Sequence, residues 1–257
     1  GLHRLPRAYS NIGTPEPFYT FHVTMGFVPL SALKEKAAGC GASVTEYLAA
    51  VLIRVLLDKQ ERAEELASYV DKIYEEVSSV VATIPEEDRI PIYYAEGAEG
   101  LQTEPASSQH MLAFLEAGAL DVATCEETYG GGMTDVSLEQ VLKWDPEVII
   151  SWDSEIRGGA YEDIKTNKDW ADITAVKDGR VYAMPNLPWA WCDRPPGVNR
   201  IIGLEWVCNL LYPDIYQIDI VERTQEFFKV MLNVDITREQ ALDVLGDSYP
   251  PIPRIKH

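Results

Sequence analysis

The sequence predicts an α/β fold: a mostly parallel sheet flanked by helices, preceded by a long helix and a short strand-and-helix segment. Three observations predict it. From residue 90 onward, short β-branched and aromatic runs alternate with segments of helical apolar period, the pattern of a parallel sheet covered on both faces. Neither Pro nor Gly interrupts residues 43–84, so the helical period there can run unbroken. Turn signals stand where strands should begin, as at Lys177-Asp178-Gly179-Arg180 before Val181.

Residues 1–16 hold Pro6, Pro15 and Gly13 without periodicity and read as an extended arm. Phe18–Val28 read as a strand, and Ser31 is placed to cap a short helix over 32–38 that Gly39 and Gly41 end. Tyr47, Leu48, Val51, Leu52, Val55 and Leu56 then form a broad apolar face. Leu66, Val70, Ile73, Val77 and Val80 continue it as a stripe between acidic residues. One continuous or once-kinked helix is therefore expected over 45–83, ~60 Å long at 1.5 Å per residue. Pro85 and the charged run after it end that helix.

Beyond it, strands are expected at 90–94, 121–124, 147–151 and 180–184. Helices are expected at 107–117, 137–143, 160–165 and 197–211. Pro195 and Pro196 suit the first turn of the last of these, and Pro213 stops it. Helices at 221–232 and 237–246 follow, the second opened by a capping box of Thr237 and Gln240. The organisation expected is a segment 1–57, a backbone helix 58–84 and an α/β lobe 85–257.

The net charge of −19 is divided unevenly. The first 62 residues hold seven Lys/Arg against five Asp/Glu, and the remainder holds 15 against 36. Such an acidic surface disfavours nucleic acid and anionic membrane, which need clustered Lys and Arg. Cys40, Cys125, Cys192 and Cys208 have no C-x-x-C spacing, which argues against a zinc site, and Cys208 falls on an apolar helix face. With four His, two of them near the termini, there is little material for a catalytic triad, and no enzyme activity is expected.

Several segments together carry a resemblance. Ile90-Pro-Ile-Tyr-Tyr-Ala-Glu-Gly, Gly100-Leu-Gln-Thr-Glu-Pro-Ala-Ser-Ser-Gln-His, Asp135 through Trp152, and Val181 through Asp214 stand in the order found in solute-binding proteins of ABC importers. The chain resembles the type with a helical backbone, which serves iron-siderophores, haem, cobalamin and some oxyanions, over about residues 57–250. That resemblance implies two α/β lobes joined by one long helix, cargo held in the cleft between them, and an ABC permease as partner. It also implies a periplasmic or cell-surface location for an exported form. No signal peptide opens this sequence, so an exported form is expected to be the mature one. No resident cofactor is expected; the cargo itself would be a ferric siderophore, haem or cobalamin.

Residues about 18–56 depart from that family. Phe21-His-Val-Thr-Met-Gly-Phe-Val-Pro-Leu and Val44-Thr-Glu-Tyr-Leu-Ala-Ala-Val-Leu-Ile resemble a fragment of the acyltransferases that include condensation domains and alcohol acetyltransferases. Their His-His-x-x-x-Asp-Gly motif is missing, so no catalytic residue is carried over. The alternative reading is thus an acyltransferase-related remnant, or a rearranged chain without ligand binding. A full amino-terminal lobe does not fit before residue 57, and a twofold homodimer is expected to cover the long apolar stripe.

Ligands of open parallel sheets sit at the carboxyl ends of the strands. The windows are 96–110, 129–133, 152–157 and 188–194. Within them Tyr129, Trp152, Trp189 and Trp191 would form an aromatic wall, with His110, Arg157 and Arg194 as polar anchors. Arg194 also stands beside Asp193, a natural partner for an internal ion pair.

Overall fold

The computed structural model describes residues 30–39, 47, 48, 51, 60–128, 132–152 and 159–248. The expected arm 1–16, the strand 18–28, and the 52–59 link between the two halves of the long helix lie outside them. By its contacts the chain divides into two compact units, residues 1–60 and 61–257. In the first, α1 spans Leu30–Gly39 and begins one residue ahead of Ser31, so Ser31 stands inside the helix rather than capping it. The helix α2 spans Gln60–Val81, all but its first residue in the second.

Four short strands form the main sheet: β1 (Pro91–Ala95), β3 (Leu120–Asp121), β5 (Val148–Ser151) and β6 (Val181–Ala183). Their order is β3-β1-β5-β6 and every pairing is parallel, with Tyr94 opposite Ile150 and Ile150 opposite Tyr182. All four expected strands are present, each within a residue or two of its expected start. The two strands outside this set, β2 (Gln102–Thr103) and β4 (Thr134–Asp135), pair antiparallel in a small ribbon that the sequence pattern does not announce. Two residues per strand are too few for a period to show.

Successive side chains of a strand point to opposite faces, and here each face has its own core. Ile92, Tyr94, Val148, Ile150 and Tyr182 face one core with Tyr69, Ile73 and Val77 of α2. The helices α3 (Leu112–Glu116), α7 (Asn199–Leu211), α8 (Ile220–Leu232) and α9 (Arg238–Leu245) contribute to the same core. Tyr93, Ala95, Ile149 and Val181 face the other core, with α4 (Leu138–Trp144), α5 (Tyr161–Thr166) and α6 (Thr174–Lys177). No helix among the described residues is long and apolar enough to cross a membrane.

Local chemistry places the helix starts. Ser137 caps α4 by accepting from the Gln140 amide at 3.2 Å, Asp219 caps α8 through the Val221 amide at 2.9 Å, and Thr237 and Gln240 form the expected capping box on α9. Helix α7 begins at Asn199, not at the prolines, and the peptide bond between Arg194 and Pro195 is cis. The 185–198 segment is consequently a loop throughout.

That loop is pressed onto α7 at Gly203. A Cβ built there would stand 2.2 Å from the Trp191 carbonyl oxygen and 3.2 Å from the Cys192 sulfur, so only hydrogen fits. Gly203→Ala is expected to force the loop off the helix and to destabilise the fold by ~1–3 kcal/mol, the usual cost of overpacking a core. A melting temperature equal to the unaltered protein's would show that the loop is not seated on α7.

Candidate functional site

Because the four strands run parallel, their carboxyl ends open on one side of the sheet, and each hands the chain to a loop there. Glu96 follows directly on β1, Glu104 lies just past the β2 ribbon, Trp152 directly follows β5, and the 185–198 loop follows β6. The ribbon gives Glu104 its position: Glu96 pairs backbone to backbone with Gln102, and Thr103 pairs with Thr134, which folds residue 104 back over the end of β1.

Arg194 lies at the centre. Its guanidinium donates through Nη1 to Glu96 Oε1 and to Asp193 Oδ2, and through Nη2 to Glu104 Oε1 at 2.6 Å. All three carboxylate side chains are fully buried and the Arg194 side chain is only 16% exposed. Two further groups complete the cluster. The Tyr94 hydroxyl donates to Asp193 Oδ2 at 3.1 Å, and His110 Nδ1 meets Asp193 Oδ1. His110 is held by a 3-10 turn that Ser108 caps, its side-chain oxygen accepting from the His110 amide at 3.2 Å. Glu104 Oε1 also accepts from the Met133 amide at 2.7 Å, so the same carboxylate ties the β4 approach to Arg194.

The charges in this cluster respond unequally to burial. Burial pushes the Glu96 carboxyl up to about 8, and Arg194 only partly offsets it, because Asp193 and Glu104 add repulsion. Asp193 is likewise raised by burial, against the pull of Arg194 and His110. Glu104 goes the other way. Burial opposes its charge, but the hydrogen bonds from Arg194 and the Met133 amide outweigh it and hold the carboxyl below its usual range. At neutral pH the cluster thus contains one carboxylate that readily keeps its proton and one that readily gives it up. No group of three or more His, Cys, Asp or Glu side chains among the described residues is arranged to hold a metal ion; these carboxylates are turned on a guanidinium.

The aromatic candidates separate. Trp189 is 52% exposed, on the loop after β6. Trp152 is buried beneath Arg194, whose guanidinium carbon lies 5.5 Å from its ring centre, and its indole N–H donates to Asn186 Oδ1 at 3.2 Å. Trp191 has no exposed surface: it packs edge-on against Trp206 at 6.4 Å and donates to the Leu187 carbonyl at 2.9 Å. Trp191 is therefore a core residue, and of the described members of the expected aromatic wall Trp152 and Trp189 stand at the strand ends. Tyr129 and Arg157 lie outside the described residues.

Of the expected polar anchors, the fold brings His110 and Arg194 together through Asp193. Sequence reasoning did not nominate Glu96, Glu104 or Tyr94. Two of these, Glu96 and Glu104, stand within the 96–110 window, and for Glu96 the signal is an acidic residue immediately after a buried strand.

Glu96 offers a pH test. Its folded-state pKa lies above the unfolded value, so its favourable contribution is complete below pH ~4.5 and is lost as pH rises through about 8. Replacing Glu96 by Gln is expected to raise stability relative to the unaltered protein by on the order of 1–3 kcal/mol between pH 5 and 8. Parallel urea titrations at both pH values measure it, and a difference independent of pH would refute the assignment.

Residues 55–187, just over half of the chain, match the family model described as periplasmic binding protein. The molybdate-binding protein MolA of Haemophilus influenzae is 27% identical over 183 residues, which cover 69% of this chain and 49% of MolA. The Fe(3+)-citrate-binding protein YfmC of Bacillus subtilis is 25% identical over 162 residues, covering 63% and 48%. Among solved structures, an ABC transporter solute-binding protein from Sulfurospirillum deleyianum superposes with a TM-score of 0.71 at 35% identity, covering 77% of this chain and 60% of that one. The chain spans about half the length of the curated relatives it matches. With a parallel sheet flanked by helices and a polar cluster at its strand ends, the chain belongs to the periplasmic binding protein family.

Proposed function

We propose that the chain is a solute-binding component of an ABC importer, that its cargo is a metal chelate, and that an ABC permease is its partner. The carrying observation is the strand-end site itself. In a chain of this family, a buried ionic cluster around Arg194 stands with Trp152 beneath it and a half-exposed Trp189 on the adjoining loop. That is the combination of apolar surface and few fixed polar groups that small-molecule sites use. Two relatives are named for molybdate and Fe(3+)-citrate binding, and both are named for small metal-containing solutes. An iron-siderophore, haem or cobalamin cargo is the form of this proposal that the large aromatic side chains favour. A periplasmic location, if the chain is exported, follows from the same reading, as does a binding role without catalysis.

The acyltransferase reading of residues 18–56 finds no support in the comparisons, whose family match begins at residue 55. The expected homodimer belongs to the proposal as well: a second copy facing the strand-end site would supply the other wall of a cleft. Light scattering at micromolar concentration tests it, since a mass near 28.8 kDa refutes the dimer and twice that value supports it.

Cargo binding is tested by thermal shift with a ferric siderophore, haem, cobalamin, ferric citrate and molybdate. A ligand present at ~100 times its Kd adds about 2.7 kcal/mol to the folded state and raises the melting temperature by several degrees. Trp189→Ala is expected to weaken the binding of the responding cargo about tenfold while leaving the melting temperature of the free protein unchanged, because Trp189 has little packing to lose. A panel in which no member shifts the melting point would overturn the binding reading.

A further inference from the structure

We propose that the lobe carries a second site, at the amino ends of its strands, where Arg180 binds a small oxyanion of the phosphate or sulfate class. It stands at the opposite end of the sheet from Arg194 and does not depend on the cargo reading. Three charged side chains stand at the starts of adjoining strands: Arg89 two residues before β1, Glu147 one residue before β5 and Arg180 one residue before β6. Their backbone is fixed. The Glu147 amide donates to the Pro91 carbonyl at 3.0 Å, the Ile149 amide to the Arg180 carbonyl at 3.0 Å, and the Arg180 amide to the Ala175 carbonyl at 2.7 Å.

The Arg180 side chain is only 4% exposed. Its one ion pair among the described residues is with Glu147 at 3.6 Å, longer than a hydrogen bond. Arg180 Nε and Nη1 are both buried without a hydrogen-bond partner, and so is the hydroxyl of Tyr182, two residues along the same face of β6. Burial pushes that hydroxyl up to about 12 while the Arg180 charge pulls against it, so the two groups are neighbours. Arg89 adds another buried Nε without a partner. The Tyr212 hydroxyl, which accepts from the Ile90 amide at 3.1 Å, feels both guanidinium charges.

Every unpartnered atom in this group can donate a hydrogen bond. A buried guanidinium without a hydrogen-bonded anion is costly, and the acceptor that meets both its charge and its donors is an oxyanion. Glu147 marks the way in. Its carboxylate is 46% exposed yet lies beside Nη1, so Arg180 is a single side chain away from solvent. An arriving oxyanion takes the place of that carboxylate against the guanidinium, and the Glu147 side chain turns outward. With a net charge of −19 the chain repels anions at large, so saturable anion binding requires a built site.

The full chain is titrated calorimetrically with sodium phosphate and, separately, sodium sulfate. Ionic strength is held constant with sodium chloride and each anion stays below ~10 mM, where general stabilisation by exclusion from the surface is small. One saturable site for at least one of the two is expected. Tyr182→Phe removes a hydroxyl that has no partner in the free protein, so it should weaken that anion at least threefold with no fall in the melting temperature of the free chain. Glu147→Gln, a change at a half-exposed side chain, should strengthen it at least twofold by removing the competing charge. Arg180→Lys should weaken it at least tenfold, because an ammonium keeps the charge and loses the guanidinium donors. Circular dichroism shows whether the lysine variant folds; if it does not, the other two variants decide. Saturable binding of neither anion overturns the proposal. So does binding that neither Tyr182→Phe nor Glu147→Gln alters, and its loss in Trp189→Ala would then place the anion at the strand-end site. Either result leaves solute binding to its own cargo panel.

Discussion

The pairing of Arg194 with three buried carboxylates is the constraint on which the functional face of this lobe depends. Glu96, Glu104 and Asp193 come from three different segments, and each is excluded from solvent. Taking a carboxylate out of water costs several kcal/mol unless a cation and further hydrogen bonds compensate it. Arg194 supplies that compensation to all three at once. The ends of β1, the ribbon and the loop after β6 are consequently held at a fixed spacing by a single side chain. Removing Arg194 would take their shared cation from three buried acids at once, a larger perturbation than removing any one of them.

The apolar packing around this point explains why Arg194 can sit where it does. Trp191 is locked against Trp206 of α7, its backbone lies on Gly203, and Asn199 donates to the Trp189 carbonyl at 2.7 Å. The loop is thereby fastened to α7 just before the residue it must present. Buried side chains of β1, β5 and β6 anchor the sheet on both faces, so the strand ends themselves have little freedom. A polar cluster gathered from three segments needs this kind of rigid support.

A second ionic network lies on the core face away from the cluster. Arg223 of α8 pairs with Glu76 of α2 at 2.7 Å and with the fully buried Glu205 of α7 at 3.2 Å, and the Tyr216 hydroxyl donates to Glu205 at 3.1 Å. Burial pushes Glu205 up to about 7 despite Arg223. The network joins α2 to the helices packed beneath the sheet, and with Ile73 and Val77 in the same core it makes α2 part of the lobe.

The sequence by itself determined the layered α/β unit. A strand buried on both faces must be apolar, and the runs at 90–94, 148–150 and 181–184 meet that demand without tertiary information. The capping box at Thr237 and the apolar stripe centred on Ile73 and Val77 are equally local signals, and the structure contains both. Tertiary structure alone decided how the site is assembled. Whether a tryptophan in a proline-rich loop faces inward or outward depends on what lies beneath it, so Trp189 and Trp191, two residues apart, reach opposite fates. The gathering of Glu96, Glu104 and Asp193 around Arg194 joins residues up to 98 positions apart. No local period encodes such a separation. It arises because parallel strands deliver their carboxyl ends to one edge, where charges distant in the chain must neutralise one another or stay in water.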